Sequence, residues 1–215
     1  IHDFAGHPFQ FDLSRELADR GYNVTHVYSK SSGGAKAAFE RNGRSNLNVI
    51  AIESGGHQSN KLVKRYFQEL SCGYKIKKLL QDIKPHVVIS ANSPLEVQRL
   101  IYKWCNKNSC KLIYWLQDII GPASQTILKK RLKSFGRLIG SYFIKLEKKI
   151  LKRADHVIPI SKSFYKYLEQ IKVSSNNITI IPNWAPLGDI VPKEKNNYFR
   201  FSKGLEHKFV VLYSG

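Results

Sequence analysis

His86 to Pro94 reads HVVISANSP, an unbroken run of apolar and small residues closed by three turn formers. A strand with one face in water alternates apolar with polar residues. A run that does not alternate belongs to a strand covered on both faces. The same texture recurs at Val24–Tyr28, Leu47–Ile52, Leu112–Leu116, Val157–Ile160 and Ile178–Ile181. Helical patterns separate these runs. One spans Gln10–Arg20 and stops at Gly21. A second shows an apolar face at Leu62, Val63, Tyr66, Phe67, Leu70 and Tyr74, continuing through Ile76, Leu79, Leu80 and Ile83 until Pro85. Others begin near Leu95 and cover Ser163–Ile171. Strands and helices in alternation predict an α/β fold, a doubly wound parallel sheet flanked by helices. Such sheets take ligands in the crevice beyond the carboxyl ends of their strands. The loops to examine are therefore Asp3–Pro8, Ser29–Gly34, Ser54–Gly56, Asn92–Pro94, Gln117–Gly121, Ser161 and Asn183–Trp184.

With 215 residues, 42% of them hydrophobic, the chain has material for a real core. No apolar run reaches the roughly 18 residues that a membrane-spanning helix needs. Thirty-five basic against sixteen acidic residues give a net charge of +19. That charge attracts a polyanion, an anionic lipid surface or a phosphorylated substrate without choosing among them. Cys72, Cys105 and Cys110 are odd in number and form no CxxC pair, which fits a reducing cytoplasm rather than a disulfide framework or zinc ribbon. The chain has no methionine, opens at Ile1 and ends on VVLYSG, so a segment cut at both ends is expected. Residues 1–186 are expected to form one domain and the polar stretch 187–208 an interdomain linker. Residues 209–215, with a strand over Phe209–Tyr213, would begin a second domain.

In HDFAGHPFQ, small residues open onto a helix, so backbone N–H groups and the positive end of the helix dipole face the crevice. Gly6 would let a phosphate or sugar approach closely, and His7 could bond a hydroxyl or help neutralise a phosphate. The plainer alternative is an ordinary strand–helix turn. There is no GxGxxG, which argues against a nicotinamide cofactor. His2, Asp3 and His7 match no common metal-ligand spacing. Asp118, after LIYWLQ, is placed to accept a hydrogen bond from a sugar hydroxyl or to orient a base; equally, it could cap a helix or pair with a cation. Asn92 and Ser93 hold the corresponding place after HVVISA, as ligand contacts or as helix caps.

Leu128–Ala154 is the most basic stretch, with ten lysines and arginines against Glu147 alone. Its stripe of Leu128, Leu132, Phe135, Ile139, Tyr142, Phe143, Leu146 and Ile150 describes a basic amphipathic helix. Lys129, Lys130, Arg131 and Lys133 would face an anionic membrane surface, or simply water while the stripe packs inward. Gly136 and Gly140 have GxxxG spacing, but so polar a helix does not form a transmembrane dimer through it. Tyr66, Phe67, Tyr142 and Phe143 fall on apolar faces, so core packing accounts for them. No nucleic-acid-binding module is visible and no nucleic-acid partner is expected.

The segments HDFAGHPFQFDLSRELADRGYNVTHVYS, IKPHVVISANSP, LIYWLQD, KKILKRADHVIPISKSFYKYL, ITIIPNWAP and FVVLYSG together resemble the N-terminal domain of family-4 glycosyltransferases of the GT-B fold, most closely the bacterial enzymes that assemble surface polysaccharides. ADHVIPISKSF and IIPNW are the most specific pieces. The resemblance implies a Rossmann-like acceptor-side domain facing a donor-binding domain across a cleft. It implies a retaining enzyme, hexosyl- or N-acetylhexosaminyl-type, moving sugar from a nucleotide-sugar donor to a lipid-linked or polysaccharide acceptor. No metal or other cofactor is expected, because protein cations and helix dipoles hold the leaving diphosphate. By the same resemblance Gly6, His7 and Ser161 approach the donor, while Asn92, Ser93, Asp118 and Trp184 serve the acceptor and transferred sugar. Asp118 is also the catalytic candidate that the resemblance implies in this segment. The family's basic donor-phosphate residues and paired glutamates belong to the other domain, so this segment alone should not turn over. The loop is AGHP rather than a double glycine, and Gln117-Asp118 stands where some relatives carry histidine. The implied location is cytoplasmic, peripheral on the inner face of the plasma membrane. Alternatives are a non-catalytic sugar- or nucleotide-binding module and a basic nucleic-acid-binding protein.

Overall fold

The computed structural model describes residues 1–4, 6–30, 43–53, 62–91, 93–185 and 192–211. The larger of two units, Ile1–Trp184, is built on six strands: β1 (His2–Asp3), β2 (Val24–Ser29), β3 (Leu47–Ile52), β4 (Val87–Ala91), β5 (Lys111–Leu116) and β6 (His156–Pro159). Their spatial order is β3-β2-β1-β4-β5-β6 and every neighbouring pair is parallel. This is the doubly wound sheet that the apolar runs predicted. The winding reverses between β1 and β4, which places the ligand crevice at their carboxyl ends.

Helices cover both faces. On one, α1 (Pro8–Asp19) buries Phe11 and Ala18 against Val24 and Leu47. On the other, α2 (Leu62–Ile83) and α3 (Leu95–Lys107) bury Cys72, Ile76, Leu80, Ile101 and Trp104 with Leu112, Tyr114 and Leu116. Proline in the first turn suits α1, because its fixed φ is already helical and its missing N–H would have no partner there. Gly21, at φ +88°, then ends the helix in a conformation that L side chains resist. All three cysteines are buried free thiols, and burial pushes the Cys72 thiol up to about 11.

Several expectations need correction. Ile178–Ile181 is not a strand: a single bridge joins Val157 to Ile178, flanked by bonds from Thr179 N to Val157 O and Ile181 N to Pro159 O. Pro159 has no N–H to continue a ladder. Ser163–Ile171 is a 3₁₀ turn, Lys162–Phe164, followed by α5 (Tyr165–Gln170). On α2 the buried face runs through Cys72, Ile76 and Leu80, whereas Val63, Phe67 and Tyr74 are exposed.

The largest correction concerns Leu128–Ala154. The element α4 (Ile120–Arg153) is not one amphipathic rod, because Lys133 takes φ 50° and ψ −125° and the chain doubles back there. The arms, 120–132 and 134–153, run antiparallel. A Cβ at Gly121 would lie 3.0 Å from Ile144 Cα, one at Gly140 2.6 Å from Gln125 Cα, and one at Gly136 would strike the Leu128 carbonyl. The glycines of the GxxxG pair thus serve close packing within one hairpin. Both arms carry helical periodicity in phase across the turn, so the sequence pattern reads as continuous.

The second unit, Ala185–Gly215, holds a short helix, α6 (Tyr198–Ser202), inside the stretch read as linker. Asn197 caps it by accepting Arg200 N at 3.2 Å, and Arg200 Nη2 donates to the carbonyls of Glu206 and Lys208. Phe209–Val211 join no strand ladder among the described residues, and 212–215 lie outside them.

Candidate active site

At the switch point, β1 leads through Phe4 to Gly6, whose φ of +75° lies in the left-handed region where a side chain would be strained. His7 follows with extended backbone as the N-cap of α1, and no side chain caps that helix. The His7 ring stacks on Phe9 at 5.3 Å. Phe9 in turn meets Trp115 and Trp184 edge-on, both at 5.7 Å, and the two indoles stack at 5.8 Å. Beside them Gln117 and Asn183 exchange a reciprocal amide pair, 3.1 and 2.7 Å. The segment leaving the larger unit is thereby pinned over the ends of β1 and β5. Trp184 stays 37% exposed.

Beyond β4, the Ser93 hydroxyl donates to Ala91 O at 2.9 Å and lies 2.8 Å from His2 Nδ1. Its one hydrogen being committed, the imidazole N–H is the donor between them. Burial lowers the His2 pKa to about 3, so the ring is neutral at physiological pH. Asn92, with most of the Ser29–Gly34 and Ser54–Gly56 loops, lies outside the described residues. Ser161 takes a capping role: its hydroxyl accepts from Ser163 N at 3.2 Å and from Ser163 Oγ at 3.0 Å.

Asp118, Gln117 and Ser93 meet on a cleft of about 900 Å³. Asp118, two residues past β5, is exposed. Val63, Tyr66 and Phe67 of α2 line one side of the cleft, and Leu128, Phe135 and Tyr142 of the α4 hairpin line the other. Tyr66, Phe67 and Tyr142 were expected in the core. They are 38%, 64% and 45% exposed, because the faces they occupy border this cleft. Of the residues expected to contact ligand, Ser93 and Asp118 share the cleft. His7 and Trp184 belong to the adjoining aromatic wall through Phe9 and Trp115, and Gly6 is the turn residue that leads into it.

Two buried carboxylates that the sequence pattern did not single out fix the hairpin. Glu147 accepts Ile120 N at 2.7 Å and the Tyr167 hydroxyl at 3.0 Å, and burial pushes its carboxyl up from the usual range. Glu96, at the start of α3, accepts Arg99 Nε at 2.5 Å and the Tyr142 hydroxyl at 2.8 Å. The available signal was Glu147 standing as the lone acid in a basic stretch. Lys129, Lys130, Arg131 and Lys133 are all exposed around the hairpin turn. Among the described residues no three His, Cys, Asp or Glu side chains gather as metal ligands, and no helix is long and apolar enough to cross a membrane.

The model of Glycosyltransferase Family 4 matches residues 9–188. The chain belongs to that family. No curated protein matches this family-4 chain. Among solved structures, it is similar to UGT89C1 of Arabidopsis thaliana, complexed with UDP-L-rhamnose: TM-score 0.58, 15% identity, 96% of this chain and 53% of that one. It is also similar to the sucrose-phosphate synthase of Thermosynechococcus elongatus: TM-score 0.57, 16% identity, covering 84% and 46%. At such identities the likeness establishes the fold, that of GT-B glycosyltransferases. The family-4 chain spans about half the length of these structures.

Proposed function

We propose that this chain supplies one wall of the active site of a retaining glycosyltransferase. The enzyme would transfer a hexosyl or N-acetylhexosaminyl group from a nucleotide-sugar donor to a lipid-linked or polysaccharide acceptor in cell-surface glycan assembly. The observation that carries this reading is Asp118, an exposed carboxylate on the cleft beside the switch-point crevice of a family-4 fold. A carboxylate there accepts hydrogen bonds from sugar hydroxyls and sets the orientation of the transferring ring. The Gly6 turn would let a phosphate approach the backbone closely, and the positive end of the α1 dipole lies just beyond it. Solution of UGT89C1 with UDP-L-rhamnose supports a nucleotide-sugar as that donor. The chemistry needs no metal where protein dipoles and cations stabilise the leaving diphosphate.

In the full-length protein, Asp118→Asn should lower kcat/KM for sugar transfer by about a hundredfold, measured on whichever of a panel of UDP-, GDP- and ADP-sugars the parent uses. Unchanged transfer would remove Asp118 from the site. A parent inert towards every donor, yet binding nucleotide, would favour the non-catalytic module.

The basic hairpin fits a peripheral position on the cytoplasmic face of a membrane. Between Asp118 and Glu147 there is no acidic residue, while Lys129, Lys130, Arg131, Lys133, Arg137 and Lys145 are all basic. Each lysine or arginine near an anionic surface contributes about 1 kcal/mol, screened by salt. Replacing Lys129, Lys130 and Arg131 by glutamine should therefore weaken binding to phosphatidylserine-containing liposomes by roughly 100-fold, and added salt should weaken binding by the parent protein. Salt-insensitive binding, or none, would overturn the membrane assignment.

A further inference from the structure

We propose that the cleft between α2 and the α4 hairpin seats the hydrocarbon chain of a phosphate-linked lipid acceptor, with the acceptor's sugar at the Asp118 end. This rests on the glycosyltransferase reading and chooses between its two acceptor classes. The cleft changes character along its length. Ser93, Gln117, Asp118 and Ser124 gather at the strand end, while the charged pair Arg65 and Glu69 lies on the α2 wall. Towards the hairpin turn the wall is Leu128, Leu132, Phe135 and Ile139, faced by Val63 and Phe67. A polysaccharide needs hydrogen-bonding partners along its whole path, and the polar groups on these walls are engaged with neighbouring side chains: Arg65 pairs with Glu69 at 3.0 Å and the Tyr142 hydroxyl donates to Glu96 at 2.8 Å. A hydrocarbon needs none.

The apolar side chains there are not satisfied by the fold itself. Phe67, Phe135 and Val63 stand 64%, 66% and 69% exposed, with Ile127 at 53% on the hairpin. Clustered exposure of this kind marks a surface that something apolar covers. The arm 120–132 is about 20 Å long at 1.5 Å per residue, enough for a long hydrocarbon segment running from the polar end to the turn. Charge identifies the bearer of that chain. Arg65 on the wall is paired with Glu69, so the cationic rim is that of Lys129, Lys130, Arg131, Lys133 and Arg137 around the turn. A hydrocarbon attached through phosphate to a sugar, drawn from an anionic bilayer, matches both the apolar wall and the cationic rim.

The test is binding of geranyl, farnesyl and geranylgeranyl diphosphate, with inorganic diphosphate as reference, to the full-length protein below micellar concentration. Each buried methylene tightens binding by up to about fourfold, so affinity should rise at least tenfold per added five-carbon unit. In the double variant Leu132→Ser, Phe135→Ser that gradient should flatten; both side chains are exposed enough for the fold to tolerate the change. Equal affinity at every chain length, or an unaltered gradient in the variant, would overturn the proposal. The glycosyltransferase reading is tested separately by sugar transfer to acceptors differing only in chain length. Transfer whose KM ignores chain length sinks the lipid seat and leaves that reading standing. A binding gradient without any sugar transfer does the reverse.

Discussion

Lowering the pH from 7 to 5 should remove about 4 kcal/mol of folding stability, read as a fall in the urea midpoint. His2 and His26 are the cause. Both are buried, and burial of the imidazole lowers each pKa from 6.5 to about 3. His26 Nδ1 is 2.7 Å from Ser14 Oγ, in the α1 face of the sheet, and His2 is bonded under the crevice by Ser93. The sign follows from which state takes up protons. Above 6.5 both rings are neutral in either state and the full stability is present. Below it the unfolded chain is protonated while the folded one resists, so stability is lost as pH falls towards 3. Each ring contributes about 1.4 kcal/mol per pH unit, and the two together span 1.5 units of this window. Glu69 and Glu147 act in the opposite direction, because burial raises their carboxyl pKa values above 4.5 and protonation favours the fold. His26→Asn isolates the histidine part: its stability should be lower at pH 7, but its pH dependence should be about half as steep. A parent whose stability changes by less than 1 kcal/mol would mean that the rings titrate freely in the fold.

Gly136→Ala should lower the melting temperature by roughly 5–15 °C, the equivalent of about 2–4 kcal/mol in a chain of this size. Two effects oppose each other. Alanine favours the helix by about 1 kcal/mol over glycine. Against that, its Cβ would strike the carbonyl of Leu128 and come within 3.0 Å of Lys129 N. Those atoms are backbone of the facing arm, so no side chain can rotate out of the way and the hairpin must open. Overpacking wins. Lys129→Ala, an exposed change on the facing arm, is the control and should stay within about 0.5 kcal/mol of the parent. An unshifted melting temperature in Gly136→Ala would mean that the two arms are not held at the described separation. The prediction is also functional, since the arms form one side of the cleft that carries Asp118.

The sheet was legible because a strand covered on both faces leaves a local mark: His86–Ala91 and Leu112–Leu116 carry no polar alternation, whatever the rest of the chain does. Turn chemistry was local too, so Gly21 announced the end of α1. Ser93 and Asp118 were legible as candidate ligand contacts from topology, since a residue just past a strand of such a sheet stands at the crevice. Ile178–Ile181 misled for a reason one segment cannot show. Its apolar run suits a strand, but its neighbour β6 ends in Pro159, which cannot donate.

By itself, then, the sequence determined the parallel α/β architecture and the crevice edge, because periodicity and turn residues are properties of neighbours along the chain; the family entered through the likeness of motifs such as ADHVIPISKSF and IIPNW. The tertiary structure alone decided that the basic stretch is a hairpin, with Glu147 and Glu96 as its anchors, and that Tyr66 and Phe67 border a cleft instead of filling a core. Those outcomes depend on which distant backbone comes within 3 Å of a glycine or a carboxylate. A helical stripe has the same spacing whether it meets protein, lipid or water.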